Sequence, residues 1–153
     1  MIKRWTVGIS MALGTMAFVG LAGCGSAAVN TAATTAPQAA NNTTITLTDM
    51  KVAVSSSFAA GKYTFTIVNK GALMHELLVF KSDLAQAKYP TETSGNIAED
   101  GAGITKISDG DNLAAGASQT REIDLTKPGT YLFVCNLDGH YAAGMHTVVV
   151  TVA

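Results

Sequence analysis

The chain has 153 residues, a net charge of −1, 14% charged residues and 48% hydrophobic ones. A length of this order suits one ordinary domain. No basic stripe is present to neutralise phosphates, which excludes a nucleic-acid binder of the usual electrostatic kind, and 2 Cys with 3 His are too few for a disulfide framework but enough for one metal site.

The N-terminus reads as an address. Lys3 and Arg4 are followed by an uncharged, apolar run from Trp5 to Gly20 and then by Leu21-Ala22-Gly23-Cys24. A basic start, an apolar stretch and small residues before a cleavage point describe a secretory signal. The run is short for a transmembrane helix, which needs about 20 apolar residues. Its ending resembles the bacterial lipoprotein signal, in which the Cys becomes the lipidated first residue. An ordinary signal peptide and an uncleaved anchor are the alternatives. On the lipoprotein reading, residues 1–23 are removed and Cys24 carries the lipid. The mature chain then has 130 residues and, without Lys3 and Arg4, a net charge of −3. Two or more acyl chains would hold it stably on a membrane, on the extracytoplasmic side.

Residues 24–42 are Cys24 and a stretch of Gly, Ala, Thr, Ser, Asn and Gln with one Pro and no large aliphatic residue except Val29. Such a segment cannot bury enough to order itself and reads as a flexible tether. The domain proper is expected over 43–153.

From Thr43 the apolar period is two. Ile45 and Leu47 alternate with threonines, then the phase slips to Met50, Val52 and Val54. A slip near Asp49 predicts a bulge or a bend. Tyr63, Phe65 and Ile67 form the next strand, and Asn69-Lys70-Gly71 marks a turn. His75 to Lys81 reads as a strand, Ser82 to Lys88 as a short helix, and Thr91 to Gly103 as a polar surface loop. Ile123 and Leu125 alternate with acids, Pro128-Gly129 turns, and Thr130 to Cys135 and Thr147 to Val152 close the chain as strands. Many short strands with Gly and Pro between them predict an all-β fold, an antiparallel β-sandwich with one short helix.

The informative segment is Cys135-Asn136-Leu137-Asp138-Gly139-His140-Tyr141-Ala142-Ala143-Gly144-Met145, a C-x4-H-x4-M pattern between two strands. Tyr131, Phe133 and Cys135 share a strand face, so the thiol is expected to point inward with two aromatics. If Cys24 is lipidated, Cys135 is a lone thiol in an oxidising compartment and needs protection or a role; an inert buried Cys is the plain alternative. His75 is a fourth candidate, although a single strand histidine can equally be structural. Thiolate, imidazole and thioether are soft donors. Two His, one Cys and a weak axial Met describe a blue-copper electron-transfer site. Zinc would favour more Cys or His and has no need of the Met. Met50 and Met74 are expected to line the site or fill the core, and His146 to face away from the metal. Gly139 and Gly144 permit tight turns beside the ligands.

At this point the segment 43–153 resembles the cupredoxins, the small blue copper proteins. The Cys135…His140…Met145 loop after Gly129-Thr130-Tyr131-Leu132-Phe133-Val134 resembles their C-terminal signature, with spacing similar to longer-loop members such as rusticyanin and auracyanin. The resemblance implies a Greek-key sandwich of about eight strands. It implies one type 1 copper ion bound by His75, Cys135 and His140 with Met145 axial. Two departures stand out. Glu76 follows the first His where Asn or Ser is frequent, and Asp138 stands where Pro is frequent. Glu76 and Asn136 are expected to hydrogen-bond across the two ligand segments and tune the metal.

The expected function is a membrane-tethered electron carrier cycling Cu(I)/Cu(II), not an enzyme, monomeric, working with redox protein partners. Leu73, Leu137, Tyr141, Ala142 and Ala143 are expected to ring the edge of His140 as a docking patch. Val134 and Asn136 flank Cys135, so the His that passes electrons to a second copper centre in related enzymes is absent, and Gly139 stands where a binuclear site would need a second Cys. Copper delivery or sequestration is the alternative, although only 3 His are present. A metal-free sandwich for adhesion or assembly is a further one.

Overall fold

The computed structural model describes residues 41–153. The expected signal segment, Cys24 and the tether up to residue 40 lie outside the described residues. Nine strands follow in chain order: β1 (Asn41–Thr48), β2 (Lys51–Ala53), β3 (Ser57–Ala59), β4 (Gly61–Asn69), β5 (Leu78–Ser82), β6 (Ile104–Ser108), β7 (Ser118–Leu125), β8 (Gly129–Val134) and β9 (His146–Val152). β1 thus starts at Asn41, two residues before the expected Thr43. The short helix expected over Ser82 to Lys88 shrinks to a 3-10 turn at Gln86–Lys88. Ser82 ends β5 instead, where its hydroxyl donates to the Gly103 carbonyl at 2.8 Å.

The strands form a sandwich of a four-stranded sheet, β2-β1-β4-β7, and a five-stranded one, β3-β9-β8-β5-β6. Both sheets are mixed rather than wholly antiparallel. β1 runs parallel to β4, and β3 parallel to β9. Parallel neighbours need a crossover, and the chain makes one by placing β3 in the opposite sheet between β2 and β4.

The phase slip at Asp49 is a hairpin, not a bulge. Asp49 and Met50 close a two-residue turn between Thr48 and Lys51, so odd-numbered Leu47 faces even-numbered Val52 across the ladder. Both side chains are buried. β4 alternates strictly, burying Tyr63, Phe65 and Ile67. β8 buries Tyr131 and Phe133 on the same inner face. Phe65 and Phe133 meet edge to face across the sandwich at 5.9 Å, a geometry worth about 0.5–1.5 kcal/mol beyond area burial. Tyr63 and Tyr131 bury their rings while their hydroxyls donate to the Ala59 and Lys127 carbonyls, so neither leaves a polar group stranded.

A second apolar layer lies outside the five-stranded sheet. Leu78, Phe80, Leu132 and Val134 turn outward there and are covered by Tyr89 and Ile97. The stretch from Thr91 to Gly103 therefore does more than form a polar surface loop. Its one large aliphatic side chain, Ile97, is wholly buried. β5 and β8 are covered on both faces, which is why each reads as a nearly continuous apolar run.

Candidate metal centre

The ligand-bearing loop is wound tightly onto itself. Beyond β8, Cys135 donates its N–H to the Met145 carbonyl at 3.1 Å, and Met145 donates to the His140 carbonyl at 3.0 Å. Gly139 and Gly144 take φ of 78° and 96°, conformations that side chains disfavour. Nine intervening residues thus return Met145 beside Cys135. Both are fully buried in the core between the sheets.

The first-ligand segment is held separately. The buried Asn69 side chain donates to the Leu73 and Leu113 carbonyls at 2.8 and 2.9 Å and accepts the Gly71 N–H at 2.9 Å. His75 exchanges backbone hydrogen bonds with Leu113 in an isolated bridge, short of β5. It is therefore not the first residue of a strand. Its ring is fully buried.

These two segments bring three donor atoms together. His75 Nδ1 lies 3.3 Å from His140 Nδ1 and 4.0 Å from Cys135 Sγ, and Cys135 Sγ lies 3.3 Å from His140 Nδ1. A point equidistant from all three lies about 2.1 Å from each, close to the lengths of metal–imidazole and metal–thiolate bonds. Among the described residues, this is the group whose donors could hold a metal. Burial, then the neighbouring His75, pushes His140 below its usual value, which favours the neutral ring that has a lone pair to give. Burial pushes the Cys135 thiol up, and the Glu76 N–H, 3.4 Å from Sγ, pulls it back. A bound metal replaces the thiol proton. The donor set of two imidazoles, a thiolate and a nearby thioether fits copper.

Glu76 and Asn136 are joined, though not side chain to side chain. The Asn136 backbone N–H donates to Glu76 Oε1 at 3.1 Å. Burial raises the Glu76 carboxyl above its usual value. The Asn136 side chain faces the covering loop. It accepts the Ile97 N–H at 2.8 Å and donates to the Ile97 carbonyl at 3.1 Å, as a paired strand would. Asn96 donates to the Asp138 carboxylate at 3.0 Å.

Other sites fall as follows. Leu73 is 47% exposed, Ala142 and Ala143 are exposed, and Leu137 and Tyr141 are half-buried. Met74 is 51% exposed and so does not fill the core; it sits in the turn before His75, where alternation does not apply. Met50 is half-buried in the β1–β2 turn. His146 pairs with Val134 on the outer face and packs its ring on Tyr141.

Two residues near the site carry no sequence signal of their role. Asp49 places Oδ1 3.2 Å from His75 Nε2. Arg121 donates to the Leu77 carbonyl at 2.7 Å and the Ser108 hydroxyl at 3.2 Å. The phase slip locates the Asp49 turn, but nothing local says what the carboxylate meets.

The comparisons agree with this geometry. The model of the Sulfocyanin (SoxE) domain matches residues 27–153. The reduced auracyanin of the photosynthetic bacterium Roseiflexus castenholzii superposes with a TM-score of 0.54 at 22% identity, over 76% of this chain and 100% of that one. Auracyanin A of Chloroflexus aurantiacus, a blue copper protein, gives 0.50 at 19% identity over 72% and 99%. Auracyanin B gives 0.50 at 18% over 73% and 88%. At these identities the likeness speaks for the fold. No curated protein sequence matches. The match over most of the chain, together with a buried donor set suited to one type 1 copper, places this protein in the sulfocyanin domain family of cupredoxins.

Proposed function

We propose that this protein is a lipid-anchored, extracytoplasmic electron carrier rather than an enzyme. His75, Cys135, His140 and Met145 would hold its copper. The observation that carries the reading is the donor triangle, whose edges are 3.3–4.0 Å and whose His75 and Cys135 corners are fully buried. A preformed site on a packed scaffold needs little movement between redox states. Bound copper supplies one-electron exchange between Cu(II) and Cu(I).

The protein's own residues supply the rest. Asn69 and Leu113 hold His75, and the closed 135–145 loop holds the other donors. His140 is the half-exposed donor and so the port for the electron. Leu73, Leu137, Tyr141, Ala142 and Ala143 offer a small apolar rim. Brief redox encounters bury little surface. Lys3, Arg4, the apolar run and Leu21-Ala22-Gly23-Cys24 support secretion and lipidation at Cys24. Delivery or sequestration ranks second: donors seated this deeply release a metal poorly, which counts against delivery, and only 3 His are present, which counts against a sequestering surface.

The test is the visible spectrum of the full-length protein in detergent, loaded with Cu(II), reduced and reoxidised. An intense thiolate-to-copper band that bleaches and returns, and that Cys135→Ser abolishes, supports the carrier. Pale binding, or metal loss on reduction, moves delivery to first place. Loss of metabolic acyl labelling in Cys24→Ala tests the anchor.

A further inference from the structure

The buried His75 ring presents two nitrogens, and both are spoken for. Nδ1 faces Cys135 Sγ and His140 Nδ1. Nε2 faces Asp49 Oδ1 at 3.2 Å. Asp49 comes from the β1–β2 turn, in the sheet opposite to β8 and β9, the strands that flank the Cys135–Met145 loop.

The carboxylate is held in place from three sides. The Ala72 N–H reaches its Oδ1 at 3.0 Å and its Oδ2 at 3.3 Å, and the Leu73 N–H reaches Oδ1 at 3.2 Å. Its turn neighbour Met50 adopts φ 59°, which is uncommon for a side-chain-bearing residue and fixes the turn. The third side is Gly71. A Cβ at that position would lie 2.3 Å from Asp49 Oδ1 and 2.9 Å from His75 Nε2. A side chain there would have to push the carboxylate or the imidazole aside.

We propose that Asp49 is a positioning residue for His75, setting its tautomer, its ring orientation and its donor strength toward copper. The inference rests on the copper site proposed above. By accepting the Nε2–H, Asp49 leaves the lone pair on Nδ1, the atom that faces the other donors. Carboxylate–histidine–metal arrangements raise ligand basicity. A negative charge behind the ring favours Cu(II) over Cu(I), so Asp49 holds the reduction potential down.

The experiment uses full-length protein in detergent: wild type, Asp49→Asn, Asp49→Ala and Gly71→Ala. Cu(II) and Cu(I) affinities, the reduction potential and the melting temperature of the metal-free form are measured for each. Asp49→Asn keeps an oxygen for the Ala72 and Leu73 N–H groups but loses the charge. It is expected to weaken Cu(II) binding about 10- to 100-fold, to weaken Cu(I) binding less, and to raise the potential. Each tenfold difference between the two affinities is 59 mV for one electron. Gly71→Ala separates the same pair from the other side and should shift the potential in the same direction. It decides the matter should Asp49→Asn not fold. An unchanged or lowered potential in Asp49→Asn, beside a wild type that shows its thiolate band, overturns the role of Asp49 and leaves it a fastener of the 72–73 turn. A wild type without the band overturns the copper reading and this inference together.

Discussion

The backbone N–H of Asn136 donates to Glu76 Oε1 at 3.1 Å, joining the residue after the Cys to the residue after the first His across 60 positions of sequence. The Glu76 N–H in turn points at Cys135 Sγ at 3.4 Å. The two segments are thus crossed like laces, each backbone N–H directed at the other segment's donor or acceptor.

Glu76→Ala leaves the Asn136 N–H without its acceptor. The expected loss is about 1–3 kcal/mol in the metal-free protein, measured by urea denaturation, with a shifted thiolate band in the copper form. Glu76→Gln restores an acceptor oxygen and should recover most of the stability. If both variants match wild type in stability, spectrum and potential, the link between the segments has no consequence.

The covering loop is expected to matter more than its polar composition suggests. Ile97 is fully buried against Leu132 and Val134. Ile97→Ala should cost about 2–5 kcal/mol. Asn136→Ala removes the side chain that satisfies both the Ile97 N–H and carbonyl, and should cost about 1–3 kcal/mol. Chemical denaturation of the metal-free protein checks both. Losses below 0.5 kcal/mol would mean the loop sheds its cover without consequence.

Arg121 reaches from β7 to the carbonyl of Leu77, two residues past His75. Its guanidinium is half-buried, and burial lowers its pKa from the usual value. Arg121→Met keeps much of the stem but strands the buried Leu77 carbonyl. Hydrogen bonds to charged groups contribute about 1.5–3 kcal/mol, and a fall of that order is expected. Arg121→Lys should not recover it, because one ammonium cannot reproduce the planar fork. Full recovery by Lys would show that charge alone suffices.

Lys106 bonds Glu99 of the covering loop at 2.8 Å and Asp109 at 2.9 Å. Its ammonium holds the Asp109 carboxyl below the usual value of 3.8. Thr126, through its hydroxyl and its N–H, does the same for Asp124. A carboxyl lowered by folding stabilises the protein above its unfolded pKa, and that contribution is lost as pH falls through 3.8 toward the folded value. The metal-free protein should therefore lose stability below about pH 4. Lys106→Met should cost about 0.2–1 kcal/mol at neutral pH, the range for solvent-exposed pairs, and should flatten the acid limb. A pH series of melting temperatures reads both effects, and an acid limb as steep as that of wild type would rule out Lys106 as the cause.

Legibility in the sequence followed distance along the chain. Cys135, His140 and Met145 lie within one loop, so their spacing and soft donors already pointed to copper, and Tyr131, Phe133 and Cys135 face inward as strand alternation requires. The sandwich was readable from short alternating strands, but the parallel pairings of β1 with β4 and β3 with β9 were not, because alternation encodes which face is buried and says nothing of neighbour or direction. β3 and β6 were too short or too polar to register. Asp49 with His75, Asn136 with Ile97 and Arg121 with Leu77 are separated by 26, 39 and 44 residues. By itself the sequence determined the donor loop, the inward thiol and the all-β class, since each depends on residue type and local period. Only the tertiary structure decided which carboxylate backs His75 and which loop clasps the Cys segment, since those partners meet only when two sheets close on a shared core.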